Sequence, residues 1–127
     1  MSQENINVVA RLRPFSEHIG ITGESSVAID AMNSTVTIKS TNKKFKLNNV
    51  FDENATQEAM YNKVGEPVVG AFLDGFNGTI FAYGQTGSGK TFTMLGPDEA
   101  DDETKSGIIP RAIKNIFAVL NAEAKKV

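Results

Sequence analysis

The chain has 127 residues, room for one domain of ordinary size, and its 40% hydrophobic and 22% charged residues exclude intrinsic disorder. Cysteine is absent, which excludes disulfide frameworks, cysteine-ligated zinc, iron–sulfur clusters and thiol catalysis, and which fits a cytosolic protein. Thirteen basic against 15 acidic residues give a net charge of −2 and a pI near 5.4, so bulk electrostatics do not point to nucleic acid as a partner.

Met1-Ser2-Gln3-Glu4-Asn5 carries neither the basic nor the apolar region of a secretory signal. No later apolar run reaches the ~18–20 residues of a membrane helix, so no membrane is expected as a partner. Residues 6–13 read as the first strand and end at Pro14, which cannot donate to a ladder. On it Ile6, Val8, Ala10 and Leu12 share one face, while Arg11 and Arg13 share the other. Residues 15–25 read as loop. Residues 26–30, 35–40 and 44–50 are short β-rich runs separated by turn residues, which suggests a small antiparallel meander.

Thr56 is placed to cap a helix. Ala59, Met60, Val64, Val68, Phe72 and Leu73 then follow helical spacing as far as Gly75, with Pro67 expected to kink or divide the helix. Residues 79–83 read as a short apolar strand between Gly78 and Gly84, with Tyr83 expected to pack. A glycine-rich turn leads into a helix start at 90–94, which Gly96-Pro97 stops. Residues 97–106 hold five carboxylates against Lys105, a local charge of −4, and read as an acidic loop rather than a cation site. Residues 109–124 read as an amphipathic helix whose buried stripe is Ile109, Ile113, Ile116, Phe117 and Leu120, with Lys125 and Lys126 suiting its C-terminal dipole. Strand, helix, strand and helix beside a meander suggest an α/β sheet.

One motif carries chemistry. Gly84-Gln85-Thr86-Gly87-Ser88-Gly89-Lys90-Thr91 satisfies G-x-x-x-x-G-K-[ST] at every position. Gly84, Gly87 and Gly89 permit the backbone angles that turn successive N–H groups onto an anion. Lys90 supplies a mobile cation for the β- and γ-phosphates, and Thr91 a hydroxyl for Mg²⁺. A chance match over ~120 windows has odds on the order of 0.5%, and the strand-before, helix-after context is also present. His18, the lone histidine, reads as a solvated loop residue. Asp30 ends an apolar run but falls in the meander, so it reads as a surface hairpin residue rather than a metal-side carboxylate.

The same residues carry a resemblance. Phe81-Ala82-Tyr83 with the glycine-rich run and Phe92-Thr93-Met94 closely resembles the phosphate-binding segment of kinesin motor domains. Arg11-Leu12-Arg13-Pro14 resembles the family's R-x-R-P block. Val50-Phe51, then Gln57 and Tyr61, resemble its V-F and Q-x-x-V/M-Y. Gly75-Phe76-Asn77-Gly78-Thr79-Ile80-Phe81 and Gly107-Ile108-Ile109-Pro110-Arg111 resemble two further blocks, all in the family's order. Lys46-Leu47-Asn48 departs from the Phe-Asp pair usual before V-F.

The resemblance implies a three-layer P-loop NTPase fold: a central, mostly parallel sheet with helices on both faces and a small antiparallel side lobe. Residues 1–127 would be the N-terminal part of the motor domain, about its first third. It implies a cytoplasmic, cytoskeletal motor that binds ATP or ADP with Mg²⁺, hydrolyses ATP and moves along microtubules. Phosphates fall to Gly84, Gln85, Thr86, Gly87, Ser88, Gly89, Lys90 and Thr91. The adenine border falls to Arg11, Arg13, Pro14 and Phe92. Only Lys90 would take a direct catalytic part, because the chain contains neither N-x-x-S-S-R-S-H nor D-L-A-G-S-E, the family's two switch segments. Microtubule contacts are likewise expected from segments outside these residues. Two alternatives remain open at this point. One is a small P-loop kinase or GTPase, although 83 residues precede the motif and no N-K-x-D segment exists. The other is a nucleotide-binding fragment without turnover.

Overall fold

The computed structural model describes residues 6–15, 23–97 and 102–126. They fall into two units, residues 1–55 and residues 56–127. The expectations for His18 and for Asp98, Glu99 and Asp101 lie outside the described residues.

The first unit holds five short strands. Strand β1 (Val9–Arg11) pairs in parallel with β5 (Asn49–Phe51), with Ala10 opposite Val50. Strands β2 (Val27–Asp30), β3 (Thr35–Ile38) and β4 (Lys43–Lys46) form the expected antiparallel meander. Its first turn is fastened by Asp30, whose carboxylate accepts from the backbone N–H of Asn33 at 3.0 Å and from its side-chain amide at 2.7 Å. Those bonds hold the Asp30 carboxyl below its ordinary value, the side-chain bond first. Ser34 and Asn42 take left-handed backbone angles, φ +52° and +57°, at the two turns.

The run 44–50 is not one strand. It breaks between β4 and β5, because β5 leaves the meander to join β1. Asn48 makes the junction: its backbone N–H donates to the Val8 carbonyl at 3.0 Å, and its side-chain oxygen accepts from the Val8 N–H at 2.8 Å. The departure from the family's Phe-Asp pair thus has a structural use. Val50, in the middle of β5, is the one buried apolar residue among the described residues of this unit.

The second unit is helical. Helix α1 (Gln57–Met60) starts at Thr56, whose hydroxyl accepts from the Ala59 N–H at 3.0 Å. A π-helical turn, Tyr61–Gly65, follows and passes into α2 (Glu66–Leu73) with Pro67 in its first turn. The Glu66 N–H donates to the Tyr61 carbonyl, five residues back. The π turn therefore sits where proline would otherwise break the ladder, and the helix divides just before Pro67. Helix α3 (Lys90–Met94) and a 3₁₀ turn (Glu103–Lys105) precede α4 (Ile108–Ala124). Met60, Tyr61, Val69 and Ile108 are buried, and the Tyr61 hydroxyl accepts from the Asn115 side-chain amide at 2.9 Å.

Three expectations fail. Residues 79–83 form no strand; a strand exists by pairing, and among the described residues none supplies a ladder to them. Tyr83, expected to pack, is 96% exposed, and Phe81 is 79% exposed. The stripe on α4 is amphipathic as read but not buried: Ile109, Ile113, Phe117 and Leu120 are all exposed, with Ile116 intermediate. Periodicity reports which face is apolar, not whether anything covers it.

Thr56→Ala removes a cap worth about 1 kcal/mol. A lower urea midpoint at unchanged slope is expected by circular dichroism, and an unchanged midpoint would assign no role to the cap.

Candidate nucleotide site

The glycine-rich run 84–89 forms a turn that enters α3 directly, with Lys90 as the first helical residue. Gly87 and Gly89 sit in the left-handed region, φ +80° and +99°, where a side chain would be strained. Gly84 answers a different need. A Cβ there would meet the Ser88 hydroxyl at 2.5 Å, so the start of the loop lies against its far side. The Ser88 N–H closes the turn on the Gln85 carbonyl at 3.1 Å, and the Thr93 N–H ties the first turn of α3 to Gly89 at 3.0 Å.

Lys90 folds back into this turn. Its Nζ donates to the Gly84 carbonyl and, at 2.8 Å, to the Gln85 carbonyl. A mobile ammonium thus lies in the concavity of a glycine turn, on ligands that an anion could replace. Thr91 follows it, exposed on the same helical turn, and Phe92 is 41% exposed. Helix α3 has only five residues, so its dipole contributes little at the loop.

The second set of expected residues lies in the first unit. Arg11 ends β1 half-buried, and its guanidinium donates to the Ala55 carbonyl at 3.2 Å. Burial lowers its pKa from the ordinary value. Arg13 and Pro14 follow the strand and are exposed. The structure brings together residues 84–92 within one unit and residues 11–14 within the other.

Two residues that entered the sequence reading only as parts of motif blocks organise the surroundings of α3. Gln57 is 5% exposed, and its side-chain amide donates to the Phe92 carbonyl at 2.6 Å and to the Lys105 carbonyl at 2.9 Å. Arg111 donates to the carbonyls of Ser106 at 2.8 Å, Thr104 at 3.0 Å and Glu103 at 3.2 Å. Four successive carbonyls, 103–106, are therefore held by two side chains. Beside them the backbone is pinched. The Gly107 N–H donates to the Leu95 carbonyl at 3.0 Å, and a Cβ on Gly107 would meet Leu95 N at 2.6 Å. Gly96, at φ +95°, would place a Cβ 2.6 Å from the Lys105 carbonyl oxygen. Both ends of the acidic loop thus meet at the C-terminal end of α3. No local sequence pattern signals these contacts; Gln57 reaches 35 and 48 positions along the chain.

The loop's last carboxylates are engaged. Asp102 caps the 3₁₀ turn by accepting from the Thr104 N–H at 3.0 Å and from its hydroxyl, which lowers the Asp102 pKa. Glu103 meets Lys114 at 2.9 Å, and that ammonium lowers the Glu103 pKa.

A glycine-rich turn that runs directly into a helix, in a chain that mixes sheet and helix, is common to a class rather than to one protein. Comparison with known sequences narrows it. The family model described as the kinesin motor domain matches residues 7–127. The chain is 41% identical to "Kinesin-like protein KIF15-B" of Xenopus laevis, over 98% of its own length. It is 40% identical to human "Kinesin-like protein KIF15" over 95% of its length, and to "Kinesin-related protein 7" of Dictyostelium discoideum over 96%. The chain belongs to the kinesin motor-domain family. It spans 9% of the length of each of these relatives.

Because both carboxyls titrate below their ordinary values when folded, their contribution is full above the ordinary carboxylate range and is lost as pH falls through the lowered values. In an acid titration followed by NMR, the Thr104 amide is expected to stay protected until the pH drops below that ordinary range. Asp102→Ala should abolish the transition; a Thr104 amide that loses protection around neutrality would contradict the cap.

Proposed function

We propose that this chain is the nucleotide-binding part of a kinesin motor, which as a whole hydrolyses ATP with Mg²⁺ and moves along microtubules in the cytoplasm. The observation that carries the reading is Lys90, whose ammonium lies on the Gly84 and Gln85 carbonyls inside a turn held open by left-handed glycines. In this reading the phosphates of ATP or ADP take the place of those carbonyls as partners of Lys90. Backbone N–H groups of the glycine-rich loop would turn onto the same oxygens. Thr91, next on the helix, offers its hydroxyl to Mg²⁺, which when bound neutralises phosphate charge. The donor set fits: a hydroxyl and phosphate oxygens suit a hard cation, and no protein cage is needed.

The resemblance assigns the adenine border to Arg11, Arg13 and Pro14 of the first unit and to Phe92 of the second. Stacking tolerates any purine, so discrimination between ATP and GTP should be weak; a preference above ~100-fold would need hydrogen bonds to the base edge. Arg11 donates to the Ala55 carbonyl at 3.2 Å, and Arg13 is exposed.

Lys90→Ala removes a charge-assisted contact of about 1.5–3 kcal/mol and should weaken ATP or ADP binding more than tenfold by calorimetry. Thr91→Ala should chiefly remove the gain in affinity on adding Mg²⁺. Equal affinities in parent and Lys90→Ala would sink the reading.

Turnover is a separate matter. Phosphoryl transfer to water needs a positioned nucleophile and donors on the far side of the γ-phosphate, which a glycine-rich loop does not supply. Track binding to an acidic polymer needs a basic surface, and the chain carries net −2. The 127 residues alone should therefore show no microtubule-stimulated ATPase activity and should pellet with microtubules no more than a control protein. Stimulated turnover that Lys90→Ala abolishes would overturn this.

A further inference from the structure

Helix α3 is too short to support itself. Its five residues fall well below the ~12–15 that a helix needs to be stable in water, so its position depends on what holds it from outside. Lys90 and Thr91 are its first two residues, and the placement of both is the placement of α3. Among the described residues, specific hydrogen bonds hold it. The Phe92 carbonyl, one residue after Thr91, accepts from Gln57 at 2.6 Å and from the Gly96 N–H at 2.9 Å. The second hydrogen of the same Gln57 amide goes to the Lys105 carbonyl at 2.9 Å. Leu95, at the end of α3, is bonded to Gly107 at 3.0 Å.

Gln57 therefore does more than satisfy a buried amide. Its side chain fastens α3 and the returning end of the acidic loop with a single planar group. We propose that Gln57 is a positioning residue for the phosphate cradle, setting where Lys90 and Thr91 stand by clamping α3 to residue 105. The proposal rests on the nucleotide-binding reading above.

The chemistry of the clamp is specific to an amide. Two carbonyl oxygens face Gln57: that of Lys105, and that of Phe92, which also accepts from the Gly96 N–H. A glutamine supplies two N–H groups at fixed spacing; an ionised glutamate of the same size supplies none and sets its charge against both carbonyls. Leucine keeps much of the volume and supplies no donor. Arg111 holds the carbonyls of residues 103, 104 and 106 by itself, so loss of Gln57 should free α3 while the 3₁₀ turn stays held.

Three measurements test this, and the first needs no variant. In the parent chain the Gln57 side-chain amide hydrogens should exchange at least about tenfold more slowly than those of Gln85, an exposed glutamine. Exchange as fast as Gln85 overturns the clamp. In Gln57→Leu, or Gln57→Glu should the first not fold, the backbone amides of Thr93, Gly96 and Gly107 should exchange about tenfold faster. The β2–β4 amides of the first unit should be unchanged. Calorimetry with MgADP should then give an affinity of the folded variant lower by about twofold to tenfold, the usual range for coupling through a shared backbone element. A purely structural role predicts a lower unfolding midpoint with unchanged exchange at Thr93 and unchanged MgADP affinity, and that result would refute positioning. Should the parent bind no MgADP at all, the nucleotide reading fails, whereas the exchange results at Gln57 and Thr93 still decide whether the clamp holds α3.

Discussion

Backbone carbonyls near the end of a short helix must find donors or water, and the second unit is arranged around that need. Helix α3 ends after five residues, and the chain comes back past it in a 3₁₀ turn. A three-residue turn leaves most of its carbonyls without helical partners. Gln57 and Arg111 answer the demand from α1 and from the first turns of α4. Their own positions follow from Thr56, which starts α1, and from Gly107, which lets the chain pass against Leu95 before α4 begins. The glycine-rich loop inherits its placement from this arrangement, because it is continuous with α3.

Apolar surface tells a complementary story. Phe72, Phe76, Phe81 and Tyr83 are exposed, and so is the stripe on α4. Among the described residues no side chain is fully buried. Directional bonds to backbone supplement a small apolar centre at Met60, Tyr61, Val69 and Ile108 in the second unit. Such bonds are individually worth about 1 kcal/mol net, but leaving a buried carbonyl without one costs more. That asymmetry makes the arrangement specific even where it is not strongly stabilising.

Legibility in the sequence followed the range of the cause. The glycine-rich motif was readable because each of its residues acts on its own neighbours: φ angles at Gly87 and Gly89, a close approach at Gly84, a lysine reaching back six residues. The Thr56 cap and the meander were readable for the same reason. Asn48 was visible as a departure, but its use in joining β5 to β1 depends on Val8, which is 40 positions away. The strand at 79–83 was misread because alternation and β-propensity describe a residue's fitness for a ladder, and a ladder is a property of two segments. Gln57 and Arg111 were legible only as letters in family blocks, since an amide donating to two distant carbonyls leaves no periodicity behind.

The pinch at Gly96 and Gly107 also changes what the acidic loop costs. A loop whose ends are fixed together pays closure entropy that grows only as the logarithm of its length, about 0.6 kcal/mol for each doubling. With Gly107 bonded to Leu95 and Gln57 bonded to Lys105, the geometry of α3 is set by residues at the loop's base. The base is therefore fixed by the two glycines and the two clamping side chains. Glycine is the only residue that permits so close a crossing at both positions, because a Cβ at either would meet backbone atoms, which cannot swing aside as a side chain can.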